Sequence, residues 1–199
     1  VICNHIWRFR LKEMKKILKN TLLIILIITS IGILYFLSKW NRINIDENIG
    51  KSQEIKNLDS KVFDQTFLIF DSTKVQTDFK IFASKNDTVT FNFNASKSPK
   101  LENIETLIFN SGDGFAGVNI NILKYKNFFY TSAENYTDVK RTFDFLESER
   151  YDVIKQKLTL NKSDYKKGDS IFGKIELQIK FKPTNEIINS NGYFRGIIE

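Results

Sequence analysis

The stretch Ser170–Phe181, with the sequence SIFGKIELQIKF, decides the fold. From Ile171 to Phe181 every second position holds an apolar residue or a glycine, and most of the positions between them are polar or charged. This period of two predicts a β-strand with one buried and one solvated face, because successive side chains of a strand point to opposite sides. A register shift of one residue would expose the whole apolar set, so the pairing of this strand is well specified.

The sequence on either side predicts two strands that pair with this one. Tyr151–Leu160 ends in alternating leucines and is followed by a polar loop, Asn161–Asp169. After the central strand Pro183 interrupts the pattern, Asn189–Gly192 predicts a turn, and Tyr193–Ile198 runs back. We therefore expect a three-stranded antiparallel meander at the C-terminal end.

The hairpin Tyr165–Ile175, YKKGDSIFGKI, carries a Tyr-x-x-Gly-Asp-x-Ile pattern. It resembles the turn of immunoglobulin-like and macroglobulin-like extracellular β-sandwich domains. In those families the turn connects two strands and does no chemistry. The resemblance therefore implies a β-sandwich fold and no site residues.

Strand-forming residues continue upstream of the meander. Of the 18 phenylalanines, 16 lie between Phe63 and Phe194, interleaved with Ile, Val, Leu and Tyr. The predicted upstream strands are Thr66–Phe70, Phe79–Ala83, Thr88–Asn94, Ile104–Phe109, Phe115–Leu123 and Phe128–Thr131. In Glu134–Arg150 an amphipathic helix is an open interpretation. About eight short strands predict an all-β fold, an antiparallel β-sandwich or a partly open barrel.

A hydrophobic segment, Asn20–Ser38, precedes this β region and carries no charge. As a helix it would be about 28 Å long, close to the thickness of a bilayer core. Residues before Asn20 have a net charge of +5, and the rest of the chain has only +2. Because basic residues stay on the cytoplasmic side of a first span, we expect a cytoplasmic N-terminus and a periplasmic or extracellular C-terminal domain.

A cleaved signal peptide followed by secretion is the alternative interpretation of this segment. Its apolar run is longer than a typical h-region, and no pair of small residues follows it as a cleavage site. The sequence therefore favours a retained signal anchor.

Four segments follow from these patterns. They are a basic cytoplasmic segment over 1–19, a transmembrane helix over 20–38, a stalk or linker over 39–60 and an exported β-sandwich domain over 61–199. If translation starts at Met14, residues 1–13 are an upstream extension. The stalk could also form a short, loosely amphipathic helix.

The residue types beyond Asn20 exclude several kinds of site. This part of the chain has no cysteine and no histidine. Zinc sites built on those residues, Ser-His-Asp and Cys-His nucleophile systems, and disulfides are therefore excluded. A near-neutral domain also argues against nucleic-acid binding, which relies on clustered Lys and Arg. We predict no catalytic, cofactor-binding or metal-binding residues, and no cofactor.

Two clusters of polar residues suggest alternatives to this prediction. The first, Ser111–Gly114 with Asn110 and Asn119, offers the oxygen ligands that calcium prefers, but its spacing is more typical of a hairpin turn. The second contains carboxylates that could serve glycoside hydrolysis, but basic residues interleave with them, which favours a solvated surface. Its members are Asp144, Glu147, Glu149 and Asp152, interleaved with Lys140, Arg141 and Arg150.

The sequence as a whole favours a non-enzymatic membrane protein of the cell envelope. Its partners would be the lipid bilayer, through Asn20–Ser38, and an envelope protein bound by a face or an edge strand of the sandwich, with no nucleic acid. One alternative is a carboxylate-dependent hydrolase acting on envelope glycans. Another is a β-barrel that binds an apolar ligand, because barrels of about eight strands can hold one.

Overall fold

The computed structural model describes residues 2–60, 75–82, 88–98, 100, 101, 103–112, 116–137 and 151–199. The chain divides into two compact units, Val1–Trp40 and Asn41–Glu199. All the strands that the structure describes lie in the second unit.

The first unit is one helix, α1 (Ile2–Ser38), which contains the predicted span. Its portion Met14–Ser38 is long and apolar enough to cross a membrane, and an 18-residue stretch within it has a mean hydropathy of 2.5. The hydroxyl groups inside this portion are satisfied by the helix itself: Thr29 and Ser30 donate to the carbonyls of Ile25 and Leu26 at 2.9 and 2.7 Å. Such internal bonds let polar side chains sit in an apolar helix.

The second unit contains two antiparallel sheets packed as a β-sandwich, as the sequence predicts. We name them sheet A, in the order β1-β8-β7-β6-β5, and sheet B, in the order β2-β9-β10-β11-β3-β4. The strands of sheet A are β1 (Asn41–Arg42), β5 (Asn92–Lys97), β6 (Ile104–Gly112), β7 (Ala116–Tyr125) and β8 (Phe128–Thr137). Those of sheet B are β2 (Asn44–Ile45), β3 (Lys80–Phe82), β4 (Thr88–Thr90), β9 (Tyr151–Leu160), β10 (Ser170–Phe181) and β11 (Glu186–Ile197). Among the strands that the structure describes, β2 alone runs parallel to its neighbour, β9.

The predicted meander is confirmed, with β10 pairing antiparallel to both β9 and β11. The inner face of β10 is fully buried at Ile171 and Ile175, as the alternation requires. The predicted turn at Asn189–Gly192 is wrong, because these residues lie inside β11 and the chain turns between Phe181 and Glu186. Gly192 serves another purpose: a Cβ there would lie 2.2 Å from the Cα of Phe79, so only glycine permits this close approach.

Two short stretches of chain cross from one sheet to the other. Thr88–Asn94, predicted as one strand, is divided between β4 and β5, which belong to different sheets. Its predicted inward positions are nevertheless right, since Phe91 and Phe93 are buried and Val89 packs against the core. The segment 41–45 crosses in the opposite direction, from β1 in sheet A to β2 in sheet B.

Residues 41–60, expected to form most of the stalk, belong to the second unit. After β2 they form one turn of 3-10 helix, Ile49–Lys51, and a short helix, α2 (Gln53–Ser60). Ile55 and Leu58 of α2 are buried against Phe172 and Tyr193, on the outer face of sheet B. This small cluster fixes the segment to the sandwich, because an amphipathic helix is stabilised mainly by packing of its apolar side.

Aromatic residues dominate the centre of the sandwich. The ring centroids of Phe93 and Phe194 lie 4.6 Å apart, those of Phe93 and Phe109 5.0 Å, and those of Phe79 and Phe91 5.1 Å. These are tilted arrangements that rings prefer over face-to-face stacking. A filled core therefore accounts for the six phenylalanines that are buried among the described residues.

The remaining strand predictions agree with the structure apart from their ends. β3, β6, β7 and β8 are found where strands were expected, with β8 continuing to Thr137. The helix interpretation of Glu134–Arg150 is wrong for its first four residues, which end β8, and 138–150 lie outside the described residues. The predicted strand Thr66–Phe70 also lies outside them.

Candidate functional site

The structure places most members of the cluster considered for calcium within β6 and β7. Asn110 and Asn119 face each other across β6 and β7, with the amide Nδ2 of Asn110 donating to Oδ1 of Asn119 at 2.6 Å. The hydroxyl of Ser111 donates to the carbonyl of Val118 and accepts from its backbone amide, both at 3.2 Å. Asp113 lies outside the described residues. The asparagines are thus part of a strand ladder.

Of the four carboxylates considered for hydrolysis, only Asp152 lies among the described residues. It is exposed on β9 and forms an ion pair with Lys182, whose Nζ lies 3.2 Å from Oδ1 of Asp152. Within the described ranges, no group of three or more His, Cys, Asp or Glu side chains is placed to hold a metal ion.

A buried ion pair, which the sequence analysis missed, closes one end of the core. Glu105 and Lys124 are directly opposite on β6 and β7, with Nζ of Lys124 2.9 Å from Oε2 of Glu105. Lys124 is 0% exposed and Glu105 3% exposed. Strand alternation could have revealed both, since Glu105 shares the inward parity of Leu107 and Phe109.

Tyr165 covers this ion pair from the hairpin loop between β9 and β10. The ammonium of Lys124 lies 5.7 Å from its ring centroid, and its hydroxyl donates to Oδ1 of Asn161 at 2.7 Å. Burial raises the pKa of the Tyr165 phenol above its ordinary value, and the Glu105 carboxylate acts in the same direction. Because both charges are sealed from solvent, this pair stabilises or specifies the core and offers no access to a substrate.

The opposite end of the core contains an apolar cavity of about 90 Å³ between the two sheets. Aliphatic side chains line it together with Tyr151, and Ile120 and Ile179 face each other from the two sheets. Typical small-molecule pockets are several times larger, at roughly 300 Å³ or more. The cavity therefore has room only for a very small apolar group.

The outer face of sheet A is unusual in its amide content. We call it the amide face and define it by Asn92, Asn94, Asn110, Asn119, Asn121 and Glu134, which point away from the core. Asn92, Asn110, Asn119 and Glu134 form one row across four strands. With neighbouring strands about 4.8 Å apart, this row is about 14 Å wide.

The amide groups of this face are held in place by one another. Besides the pair of Asn110 and Asn119, Nδ2 of Asn121 donates to Oε1 of Glu134 at 2.7 Å. Each amide carries both donors and acceptors, so bonds among them leave further groups directed outward. Asparagine is disfavoured in strands, so a concentration of it on central strands calls for an explanation beyond folding.

Aromatic rings border the amide face at the hairpin between β7 and β8. Tyr125 and Phe128 are paired across this hairpin and are 42% and 49% exposed. Gly117 lies at the opposite end, where the ring of Tyr136 covers it. The hydroxyl of Tyr136 donates to the carbonyl of Ser111 at 3.1 Å. Rings beside amides provide apolar contact area next to hydrogen-bonding groups.

The amide face continues around the edge of the sandwich into an open groove. This groove, of about 640 Å³, lies where β5 meets the end of β11, and Asn94, Arg195 and Glu199 are among its lining residues. The backbone of β5 itself is paired at this edge, since the amide of Glu199 donates to the carbonyl of Ala95 at 3.0 Å. Side chains rather than free strand backbone are therefore presented here.

In comparisons with known proteins, no protein family, no curated protein and no solved structure matches the chain.

Proposed function

We propose that this chain is a membrane-anchored, non-enzymatic protein of the cell envelope that binds another envelope component through the amide face. The single observation that carries the binding role is the row of asparagines with Glu134, fixed by hydrogen bonds within the amide face and lying on the same side of sheet A as two exposed aromatic rings. Buried interface centres commonly combine rings with satisfied polar groups. The proposed partner is an envelope protein.

The anchoring role is supported by α1. Its portion Met14–Ser38 has the length and hydropathy of a single span, and the charge excess before it favours a cytoplasmic N-terminus. In this proposal the second unit lies in the periplasm or outside the cell, and α1 is retained as a signal anchor.

Site-specific photocrosslinking in cells would test the binding role. A photoreactive phenylalanine analogue would replace Ile108, which is half-buried in the middle of the amide face, and in a matched control Gln178 on sheet B. We expect a discrete adduct from position 108 and none of that mass from position 178. The double variant Asn110→Arg with Asn121→Arg should remove the adduct, because two added charges disrupt the row.

The outcome that contradicts the binding role is an identical adduct pattern from both positions, or an adduct that survives the double arginine variant. Topology is tested separately with a cysteine at exposed Lys167 in a Cys3→Ser background. A membrane-impermeant maleimide should label intact spheroplasts at this position. Labelling only after lysis would contradict export.

A further inference from the structure

The outer face of sheet B differs from the amide face in its charge. We call it the lysine face and define it by Lys80, Lys155, Lys157, Lys174 and Lys180, which point away from the core on β3, β9 and β10. A bulge at Ile154, between the pairs of Gln178 and Ile179 on β10, brings Asp152 rather than Val153 onto this face. A bulge changes which side of the sheet the following residues face.

Two carboxylates on the same face offset part of this charge. Glu176 accepts from Lys174 at 2.7 Å and lies 3.7 Å from Lys157. Hydrogen bonding from Lys174 lowers the pKa of Glu176, which keeps it charged at neutral pH. The other, Asp152, forms an ion pair with Lys182 in the turn after β10. Five lysines against two carboxylates leave the described part of this face positive.

The chain enters the second unit beside these lysines. The side-chain amide of Asn41 donates to the carbonyl of Gln156 at 3.0 Å, and Gln156 lies between Lys155 and Lys157. Only Lys39 and Trp40 separate Asn41 from Ser38, the last residue of α1. Three residue steps span at most about 10 Å, so Asn41 cannot lie farther than that from the last residue of α1.

We propose that the lysine face binds the anionic phospholipid headgroups of the membrane in which α1 is anchored. The inference rests on the proposed anchoring, since the short connection keeps an anionic surface permanently within reach. Attraction of lysines to such a surface extends over roughly one Debye length, about 8 Å at physiological ionic strength.

The test uses the full chain in nanodiscs made with either phosphatidylglycerol or phosphatidylcholine. A donor fluorophore is attached at Thr184→Cys, in the exposed turn after β10, in a Cys3→Ser background, and the acceptor is a labelled lipid headgroup. We expect higher energy transfer in the anionic discs than in the zwitterionic discs. Raising the salt to about 1 M should remove the difference, because the Debye length falls to about 3 Å.

The triple variant Lys155→Glu, Lys157→Glu, Lys180→Glu should lose the dependence on lipid composition. The matched control is Lys100→Glu, Lys166→Glu, Lys167→Glu, which changes the net charge equally at exposed positions outside the lysine face and should retain it. Circular dichroism and the melting temperature in detergent verify that both variants fold. A triple variant that unfolds is replaced by the single variant Lys155→Glu, for which a partial loss is expected.

Equal transfer in the two kinds of disc, with the chain co-eluting with them, would overturn this inference and leave the anchoring intact. Loss of the effect in the control variant would also overturn it, since net charge rather than this face would be responsible. A chain that fails to co-elute with discs would overturn the anchoring and this inference together.

Discussion

At the scale of single residues, the buried ion pair of Glu105 and Lys124 is the feature of the core whose disruption should cost much folding free energy. Both side chains are removed from water, so each is tolerated only because the other lies 2.9 Å away. The net contribution of such a pair is small, whereas removal of one partner leaves an uncompensated buried charge.

The substitution Lys124→Met should lower the free energy of unfolding by about 3–5 kcal/mol, since it strands the Glu105 carboxylate. The double variant Glu105→Leu with Lys124→Met should recover most of this loss, because it removes both charges. Chemical denaturation of the full chain in detergent, followed by circular dichroism, measures both. A single variant within about 1 kcal/mol of the parent would show that water reaches the pair.

At the scale of elements, the loop between β9 and β10 is closed by Asp169. Its carboxylate accepts from Nζ of Lys162 at 2.6 Å and from the backbone amide of Lys166 at 2.8 Å. Chiefly the bond from Lys162, and then the one from Lys166, lower the pKa of Asp169 below its ordinary value of 3.8. The native state therefore favours the charged form, and the loop is most stable where this carboxylate is ionised.

Because the native pKa is depressed, the contribution of Asp169 to stability is present above pH 3.8 and disappears as the pH falls through the native value. Asp169→Asn should lower the melting temperature at pH 7, and this difference from the parent should shrink as the pH is lowered to about 3. Parallel thermal melts over this range measure it. A difference that stays constant with pH would mean that the charge of Asp169 does not matter.

The helix α2 depends on very few apolar side chains. Leu58 is 0% exposed and packs in the small cluster on sheet B. Leu58→Ala should cost about 2–5 kcal/mol of local stability and should release α2 before the sheets. Hydrogen exchange should accelerate over Gln53–Ser60 and remain slow in β10. The exposed neighbour Lys56→Ala is the control, and equal acceleration in both variants would contradict the packing role.

Elements with a long alternating pattern could be predicted from the sequence, and elements set by tertiary contacts could not. The strand β10 was identified from its period of two. The start of β11 was missed because asparagines and Gly192 are typical of turns, whereas here the asparagines face solvent and Gly192 admits the backbone of Phe79. β1 and β2 have two residues each, too few to carry a period.

The amide face could not be predicted from the sequence either, because it too is set by tertiary contacts. The sequence groups Asn110 and Asn119 only as candidate oxygen ligands for a cation. Their role in a row across β5, β6, β7 and β8 depends on strand order and register. Neither can be read from one sequence, and the buried pair of Glu105 and Lys124 could have been found only through strand parity.

At the scale of the whole molecule, the two sheets are joined at both edges. One junction is the segment 41–45, and the other is formed by β5 and the last residues of the chain. Ile198 is 1% exposed and bridges to Ala95, and its backbone amide donates to Asp169. We therefore expect both sheets to unfold in one cooperative transition.

Ile198→Ala should lower the free energy of unfolding by about 2–5 kcal/mol, because it opens a cavity where sheets A and B meet. Its neighbour Ile197 is 62% exposed, so Ile197→Ala should change stability by less than about 0.5 kcal/mol. Denaturation monitored by circular dichroism and by hydrogen exchange in β6 and β10 measures the effect in each sheet. Destabilisation confined to one sheet would contradict the cooperative junction.

The crossing at 41–45 also determines how the protein would bear tension. A pull from the membrane enters at Asn41, which is hydrogen-bonded in register to β8 of one sheet, and within four residues reaches Ile45, paired with β9 of the other. In the proposed anchored state, that load would be carried by hydrogen bonds to both sheets within the first five residues of the second unit, so neither sheet would take it alone.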